Sequence, residues 1–300
     1  MKLLVFGSLN IDDVYRVNHL VKEGETMESR SYQRCEGGKG LNQAIALAKA
    51  GADVYMAGAV GADGTFLLDF LSSFGVHTEY MRTLSVPTGR AIIQVDDEGR
   101  NAILLYGGAN RCVTPEIIDG VLGSFGEDDW ILLQNEISGV DYLINAASGK
   151  GMTVLLNPSP LTEELKRSSL QRVDWFILNE VEGYGFTGKT GDNDIVADML
   201  SQYPSSRVLL TLGERGAVYA DVTQRVWQDA IRSNVQDTTG AGDTFTGYFI
   251  HSILTGNTIE RAMRIASHAA SIAISRMGAG RSIPYADEVM LALGSCKEQE

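Results

Sequence analysis

The sequence predicts an α/β fold: a mostly parallel central sheet with helices on both faces in three layers, plus a small β-sheet lid. Three observations predict it. Short apolar runs alternate with segments of helical periodicity along most of the 300 residues. Two segments, Asp12 to Glu36 and Gly89 to Tyr106, break the alternation with β-prone residues and no helical stripe. The length suits one large domain, alone or with a small one. The expected division places residues 1–11, 37–88 and 107–300 in the core and residues 12–36 and 89–106 in the lid.

Taken in order, Leu3 to Phe6 is a buried strand, cut off by Gly7, Ser8, Asn10, Asp12 and Asp13, which does not fit a signal peptide. Val14, Tyr15, Val17 and Tyr32 give the next segment its β character. Leu41 to Ala50 is a helix stopped at Gly51, Val54 to Ala59 a strand, and Phe66 to Phe74 a helix with Phe66, Phe70 and Phe74 at helical spacing. Ala91–Val95 and Ala102–Tyr106 form a hairpin around Asp96-Asp97-Glu98-Gly99. Strands follow at Trp130–Leu133, Thr153–Leu156, Trp175–Leu178 and Val208–Thr211, with helical stretches between most of them. A helix with Phe245, Tyr248, Phe249 and Ile253 on one stripe precedes a long helix, Ile259–Arg276, which Gly278 would close. Lys297 to Glu300 are polar and expected to fray.

Composition narrows the function. A hydrophobic fraction of 44% with 21% charged residues is globular, not disordered. Lys and Arg number 25 against 38 Asp and Glu, a formal charge of −13, which argues against nucleic acid as a partner but not against a nucleotide ligand. No apolar stretch is long enough to span a bilayer. The three cysteines, Cys35, Cys112 and Cys296, are scattered and form no CxxC pair, so neither a disulfide framework nor a zinc cluster is indicated and a reducing cytoplasm is the default.

The strongest chemical segment is Asp237-Thr238-Thr239-Gly240-Ala241-Gly242-Asp243-Thr244-Phe245, three small residues leading into a helix. Free amides at a helix start attract anions. A lone Gly-x-Gly-Asp would be read as a helix cap, but capping does not account for the third small residue or the second acid, Asp237. Amides for a transferring phosphate beside a carboxylate that takes a hydroxyl proton are what phosphoryl transfer requires. Gly37-Gly38-Lys39-Gly40-Leu41-Asn42-Gln43 likewise enters a helix; a tight turn explains its glycines but not Lys39 or Asn42, whose amide would face a polyol from the first turn. Asn10 and Asp12, two apart after the first strand, point to one side of an extended chain, and Glu136 follows the Trp130–Leu133 strand. Alone, Asn10, Asp12 and Glu136 fit a turn better than a ligand site.

Gly183 to Thr190 satisfies the G-x-x-x-x-G-K-T pattern of a phosphate-binding loop, but Gly191, Asp192, Asn193 and Asp194 then signal a turn and a new helix. Glu180 and Glu182 just before it would repel phosphate, so a helix end plus loop is the better account. Thr211-Leu212-Gly213-Glu214-Arg215-Gly216 could hold a nucleotide or simply turn the chain into Ala217–Ala220. His268 sits among alanines on the long helix, and no histidine pair has metal-ligand spacing.

These segments together resemble the PfkB carbohydrate kinase family, in its ribokinase-like branch, over roughly Leu4 to Pro284. The resemblance is carried by Gly37 to Ala44 and Asp237 to Phe245 in that order, supported by Gly7-Ser8-Leu9-Asn10-Ile11-Asp12 and Gly24-Glu25-Thr26. It implies a ribokinase-like fold and an ATP-dependent sugar kinase in which Asp243 is the base and Gly240, Ala241 and Gly242 form the anion hole. It implies sugar contacts at Asn10, Asp12, Gly38, Lys39, Gly40, Asn42, Glu136 and Asp243. Asn179 and Glu182 match a motif tied to the phosphates and Mg²⁺, and Thr211, Leu212, Gly213, Glu214, Arg215 and Gly216 match the nucleotide loop, with Gly242 and His268 also toward ATP. A monovalent cation, usually K⁺, is implied at Asp237, Thr239, Ala273, Arg276, Gly278 and Ser282, and a homodimer through the lid is implied as well.

Leu41 replaces the Ala common in ribokinases and matches many sugar-phosphate kinases, whereas Asn10 and Glu136 favour a neutral sugar, ribose first. Another pentose, a ketohexose, a sugar phosphate, a nucleoside, and a non-catalytic sugar-binding regulator on the same scaffold stay open. No G-x-G-x-x-G follows the first strand, which argues against a dinucleotide oxidoreductase.

Overall fold

The computed structural model describes residues 1–295; Cys296 and Lys297 to Glu300 lie outside the described residues. The chain runs β1 (Leu3–Phe6), β2 (Asn10–Arg16), β3 (Ser31–Gly37), α1 (Lys39–Ala50), β4 (Val54–Gly61), α2 (Phe66–Ser72), β5 (His77–Leu84), β6 (Gly89–Val95), β7 (Asn101–Tyr106), α3 (Pro115–Leu122), β8 (Trp130–Gln134) and α4 (Val140–Gly149). It continues through β9 (Thr153–Asn157), α5 (Glu163–Lys166), β10 (Trp175–Asn179), α6 (Glu180–Thr187), α7 (Asp192–Gln202), β11 (Arg207–Thr211), β12 (Ala217–Ala220), β13 (Arg225–Gln228), α8 (Ala241–Leu254), α9 (Ile259–Ala273) and α10 (Ala286–Ser295).

Nine strands form the large sheet in the order β13-β12-β11-β10-β9-β8-β1-β4-β5. All neighbours are parallel except in the β11–β12–β13 meander. Strand β1 shows why the sheet is covered on both faces: Leu3, Leu4, Val5 and Phe6 are all buried, and alternate residues point to opposite sides. Leu3 and Val5 join the core packed by α1, α2, α8, α9 and α10. Leu4 and Phe6 join the core packed by α3, α4 and α7. Strand order reverses at β1, which lies between β4 and β8, and in such sheets a crevice opens beyond the carboxyl ends of the strands.

A separate four-stranded sheet, β3-β2-β6-β7, stands beside the first. Strand β2 continues from the β1 turn and pairs in parallel with β6 and antiparallel with β3, while β6 and β7 form a hairpin.

Several boundaries differ from expectation. Helix α1 begins at Lys39 rather than Leu41, because Gly38 caps it with a φ of 100°. Helix α9 ends at Ala273 instead of Arg276. The Ile274 carbonyl accepts the amides of Gln236 and Asp237, and the Gly278 amide goes to the Asp237 carboxylate, so the next helical bond is not available. Gly278 therefore lies in the following loop and does not close the helix. Gly183 and Gly185 fall inside α6, which ends at left-handed Gly188, so a helix end stands where the phosphate-loop pattern lies.

Candidate functional site

A cleft of about 220 Å³ opens at the carboxyl ends of the strands. Asn157, Asn179 and Thr211, the last residues of β9, β10 and β11, line one side, and the start of α8, Gly240 to Asp243, lines the other. A larger hollow of about 720 Å³ lies at the opposite edge, against Trp130, Thr153, Trp175 and Arg207 at the amino ends of their strands, and holds none of the expected site residues.

Gly240 adopts a φ of 76° as the residue before α8, a conformation that suits glycine, and turns the chain so that the first helical amides face the cleft. The Gly242 and Asp243 amides have no backbone partner among the described residues. A Cβ at Gly242 would meet nothing within 4 Å, so the helix start is uncrowded on that side.

Asp243 is not a cap. It is 8% exposed, and its carboxylate reaches α1, where Asn42 Nδ2 donates to Oδ2 at 3.0 Å and Gln43 Nε2 donates to Oδ1 at 2.9 Å. Gln43 is oriented in turn by Gln134 at the end of β8, whose Nε2 donates to Gln43 Oε1 at 2.7 Å. Among the described residues two buried side-chain acceptors stay without a partner, Asn42 Oδ1 and Gln134 Oε1. Gln43 lies inside the Gly37–Ala44 segment but the sequence gives it no role, and Gln134 and Asn157 carry no sequence signal of their own; their roles come from the packing of α1 against the strand ends.

Lys39, at the start of α1, also lines the cleft, whereas Asn10, Asp12, Gly38, Gly40, Asn42 and Glu136 are not among its lining residues. Burial works against the Lys39 ammonium, but Asp243, Glu136 and Glu182 outweigh burial and raise its pKa. Glu136 accepts from the Ser8 hydroxyl and from the Lys39 amide at 3.3 Å. Gly38 approaches Ser8 so closely that a Cβ there would lie 2.7 Å from the Ser8 carbonyl oxygen. Gly40 is buried in the first turn of the same helix. Asp12 is pushed up to about 7, first by burial and then by Glu136 and Asp13. Asn10 is buried and its Oδ1 accepts from Asn110 Nδ2 at 2.8 Å. Leu41 is fully buried in the core, so its departure from Ala concerns packing and not the cleft.

Asn179 and Glu182 form a capping box on α6, with the Glu182 carboxylate accepting the Asn179 amide at 2.8 Å, and both line the cleft. Thr211 ends β11; Leu212 is buried, and Gly213 to Arg215 form a short 3₁₀ turn closed at Gly216, with Glu214 exposed. Arg215 pairs with Asp192 and Glu180. His268 is buried in α9, its pKa lowered by burial and by Arg264, and it does not line the 220 Å³ cleft. The Asp237 carboxylate accepts from the Thr239 amide at 2.9 Å and from the Gly278 amide at 3.0 Å, which brings these three residues together. Ala273 accepts the Arg276 amide at 3.0 Å, the Arg276 side chain pairs with Glu288, and buried Ser282 donates to the Ala279 carbonyl at 2.8 Å. Among the described residues no group of three or more His, Cys, Asp or Glu side chains could hold a metal ion by itself.

Known proteins are similar to this chain in sequence and fold. Residues 1–286 match the pfkB family carbohydrate kinase family. A ribokinase of Staphylococcus aureus (strain COL) is 33% identical over 300 residues, covering 96% of this chain and 98% of that protein. A deoxyribokinase of Salmonella typhi is 34% identical over 299 residues, covering 96% and 97%. The solved structure of Arabidopsis thaliana ribokinase complexed with ribose and ATP has a TM-score of 0.83 at 31% identity, covering 97% of this chain and 98% of that one. The fold is therefore ribokinase-like, and the chain belongs to the pfkB family of carbohydrate kinases and is a sugar phosphotransferase.

Proposed function

We propose that the enzyme transfers the γ-phosphate of ATP to the primary hydroxyl of a neutral pentose, ribose first, with Asp243 accepting the hydroxyl proton. The observation that carries this reading is the buried Asp243 carboxylate, gripped by Asn42 and Gln43 at the start of α8, where the Gly242 and Asp243 amides have no backbone partner among the described residues. Phosphoryl transfer depends on positioning and charge stabilisation, and both are built in before substrate arrives. The Gly242 and Asp243 amides stabilise charge on the moving phosphoryl group, and Lys39 brings a cation to the same space. Asn10, Asp12, Gly38, Gly40, Asn42 and Glu136 surround the sugar end; their oxygen acceptors suit the hydroxyls of an uncharged polyol and oppose a phosphorylated one.

The nucleotide lies along the ends of β10 and β11, against Asn179 and residues 211–216, with His268 behind. Mg²⁺ commonly needs only one or two carboxylates besides phosphates and water, so Glu182 with Asn179 fits it, although no all-protein cage is present among the described residues. The ion would neutralise phosphate charge when bound. K⁺ is assigned to Asp237 and Thr239 with carbonyls of the 273–282 segment, which the Asp237–Gly278 bond draws together.

A homodimer through the lid is supported by its uncovered apolar surface: Ile103, Leu104, Leu105 and Tyr106 of β7 are 54, 67, 51 and 52% exposed. No helix of the described residues is long and apolar enough to cross a membrane. A cytoplasmic location fits an ATP consumer with free Cys35 and Cys112.

The test is ADP release coupled to a reporter, with ATP and Mg²⁺ and a panel of ribose, 2-deoxyribose, fructose, ribose 5-phosphate and a nucleoside. Ribose is expected to give the highest kcat/KM. A clear preference for ribose 5-phosphate or the nucleoside would overturn the substrate assignment, and no transfer to any sugar would favour a binding regulator.

A further inference from the structure

We propose that Lys49 is a positioning residue for phosphate transfer: its ammonium serves as a built-in cation inside the loop between α9 and α10 and holds that loop against the phosphate-binding end of α8. The inference rests on the phosphotransfer reading of the cleft.

Lys49 lies in the last turn of α1 and is only 6% exposed. It forms no ion pair within 4.0 Å of a carboxylate among the described residues. Its Nζ donates to the carbonyls of Ile283 at 2.7 Å and Gly280 at 3.3 Å, and it stands 4.7 Å from the Phe74 ring centroid and 4.9 Å from that of Tyr285. A buried ammonium is costly unless such dipoles and ring faces replace water. An apolar residue would fill the same space without that cost, so the charge points to a task at the loop.

The loop leads from Lys49 to the reacting groups in short steps. A Cβ at Gly280 would lie 3.7 Å from Asn42 Oδ1, on the residue that grips Asp243. Asn42 and Lys49 are two helical turns apart, so both address the loop from one face of α1. Farther along, a Cβ at Gly240 would lie 3.2 Å from Ala279 Cα, and the Gly278 amide donates to Asp237. Tyr248 of α8 completes the junction, its hydroxyl donating to the Pro284 carbonyl at 2.7 Å and lying 3.3 Å from the Lys49 carbonyl. Without the ammonium, the Gly280 and Ile283 carbonyls lose a common donor, and the surface that Gly240 and Asn42 rest on is free to shift.

The test compares full-length wild type, Lys49→Met and Lys49→Arg in steady-state turnover with ATP and ribose and in amide hydrogen exchange of the ligand-free protein. Misplacing a catalytic group by about an ångström costs on the order of a hundredfold, so Lys49→Met is expected to lower kcat by roughly 10- to 100-fold with little change in sugar KM. Lys49→Arg should recover most of kcat. Amides of residues 276–285 should exchange faster in Lys49→Met than in wild type or Lys49→Arg. Unchanged kcat in Lys49→Met, or a KM effect alone, overturns the inference, as does equal exchange in all three proteins. Faster exchange with no wild-type turnover on any sugar keeps the clamp and sinks the phosphotransfer reading. If Lys49→Met does not fold, Lys49→Gln, which keeps a donor without the charge, carries the same comparison.

Discussion

Gln43 donates its side-chain amide to the Asp243 carboxylate at 2.9 Å while accepting that of Gln134 at 2.7 Å, so the proposed base is held by a relay that begins at the end of β8. Removing the relay should hurt the reaction more than sugar binding. Gln43→Leu leaves one Asp243 oxygen unbonded, and kcat is expected to fall by roughly 10- to 100-fold. Gln134→Leu should show a smaller loss in the same direction. Steady-state kinetics check this, and equal kcat in wild type and Gln43→Leu would remove the relay from the account.

Asp243→Asn removes the proton acceptor while keeping size and burial. Turnover should fall about a thousandfold, within the usual range for loss of general acid–base catalysis. ATP and ribose should still bind by calorimetry. Near-normal turnover would rule out Asp243 as the base.

Asp12 predicts a pH dependence. Its folded pKa is raised from 3.8 to about 7, mainly by burial. Between those values the folded chain keeps a proton that the unfolded chain has lost, so this group's contribution to stability declines as pH rises from about 4 to about 7 and is level above that. Sugar hydroxyls donate to the ionised carboxylate, so ribose affinity should strengthen as pH rises through about 7, by about tenfold between pH 6 and pH 8. Asp12→Asn should flatten the profile. Calorimetric titrations across pH check both, and the same slope in wild type and Asp12→Asn would assign it elsewhere.

The lid predicts assembly. Leu104 is 67% exposed on β7 amid other uncovered apolar side chains. Leu104→Glu should turn a dimer into a monomer by light scattering, since a desolvated charge opposes association. A wild-type monomer at working concentration would contradict the dimer.

Much of the fold was legible because buried strands such as Leu3–Phe6 and Trp175–Leu178 announce themselves as apolar runs between helical patterns. Asp243 and the small residues before it were legible because glycines entering a helix, followed by an acid, need more than capping to account for them. The grip on Asp243 was not: Gln43 looks like any glutamine on a helix until α1 packs beside β8 and α8. The end of α9 was equally hidden, since it depends on Asp237 and Gln236 reaching the Ile274 region from across the chain. Asn179 and Glu182 form a capping box by geometry and line the cleft, where the proposed function places the nucleotide.

The most direct test is a crystal structure with ADP, Mg²⁺, ribose and aluminium fluoride, which mimics the phosphoryl group in flight. The account predicts the fluoride complex against the Gly242 and Asp243 amides, with the ribose primary hydroxyl within hydrogen-bond reach of the Asp243 carboxylate. A fluoride complex seated elsewhere, for example against residues 183–190, or a hydroxyl out of reach of Asp243, would contradict it.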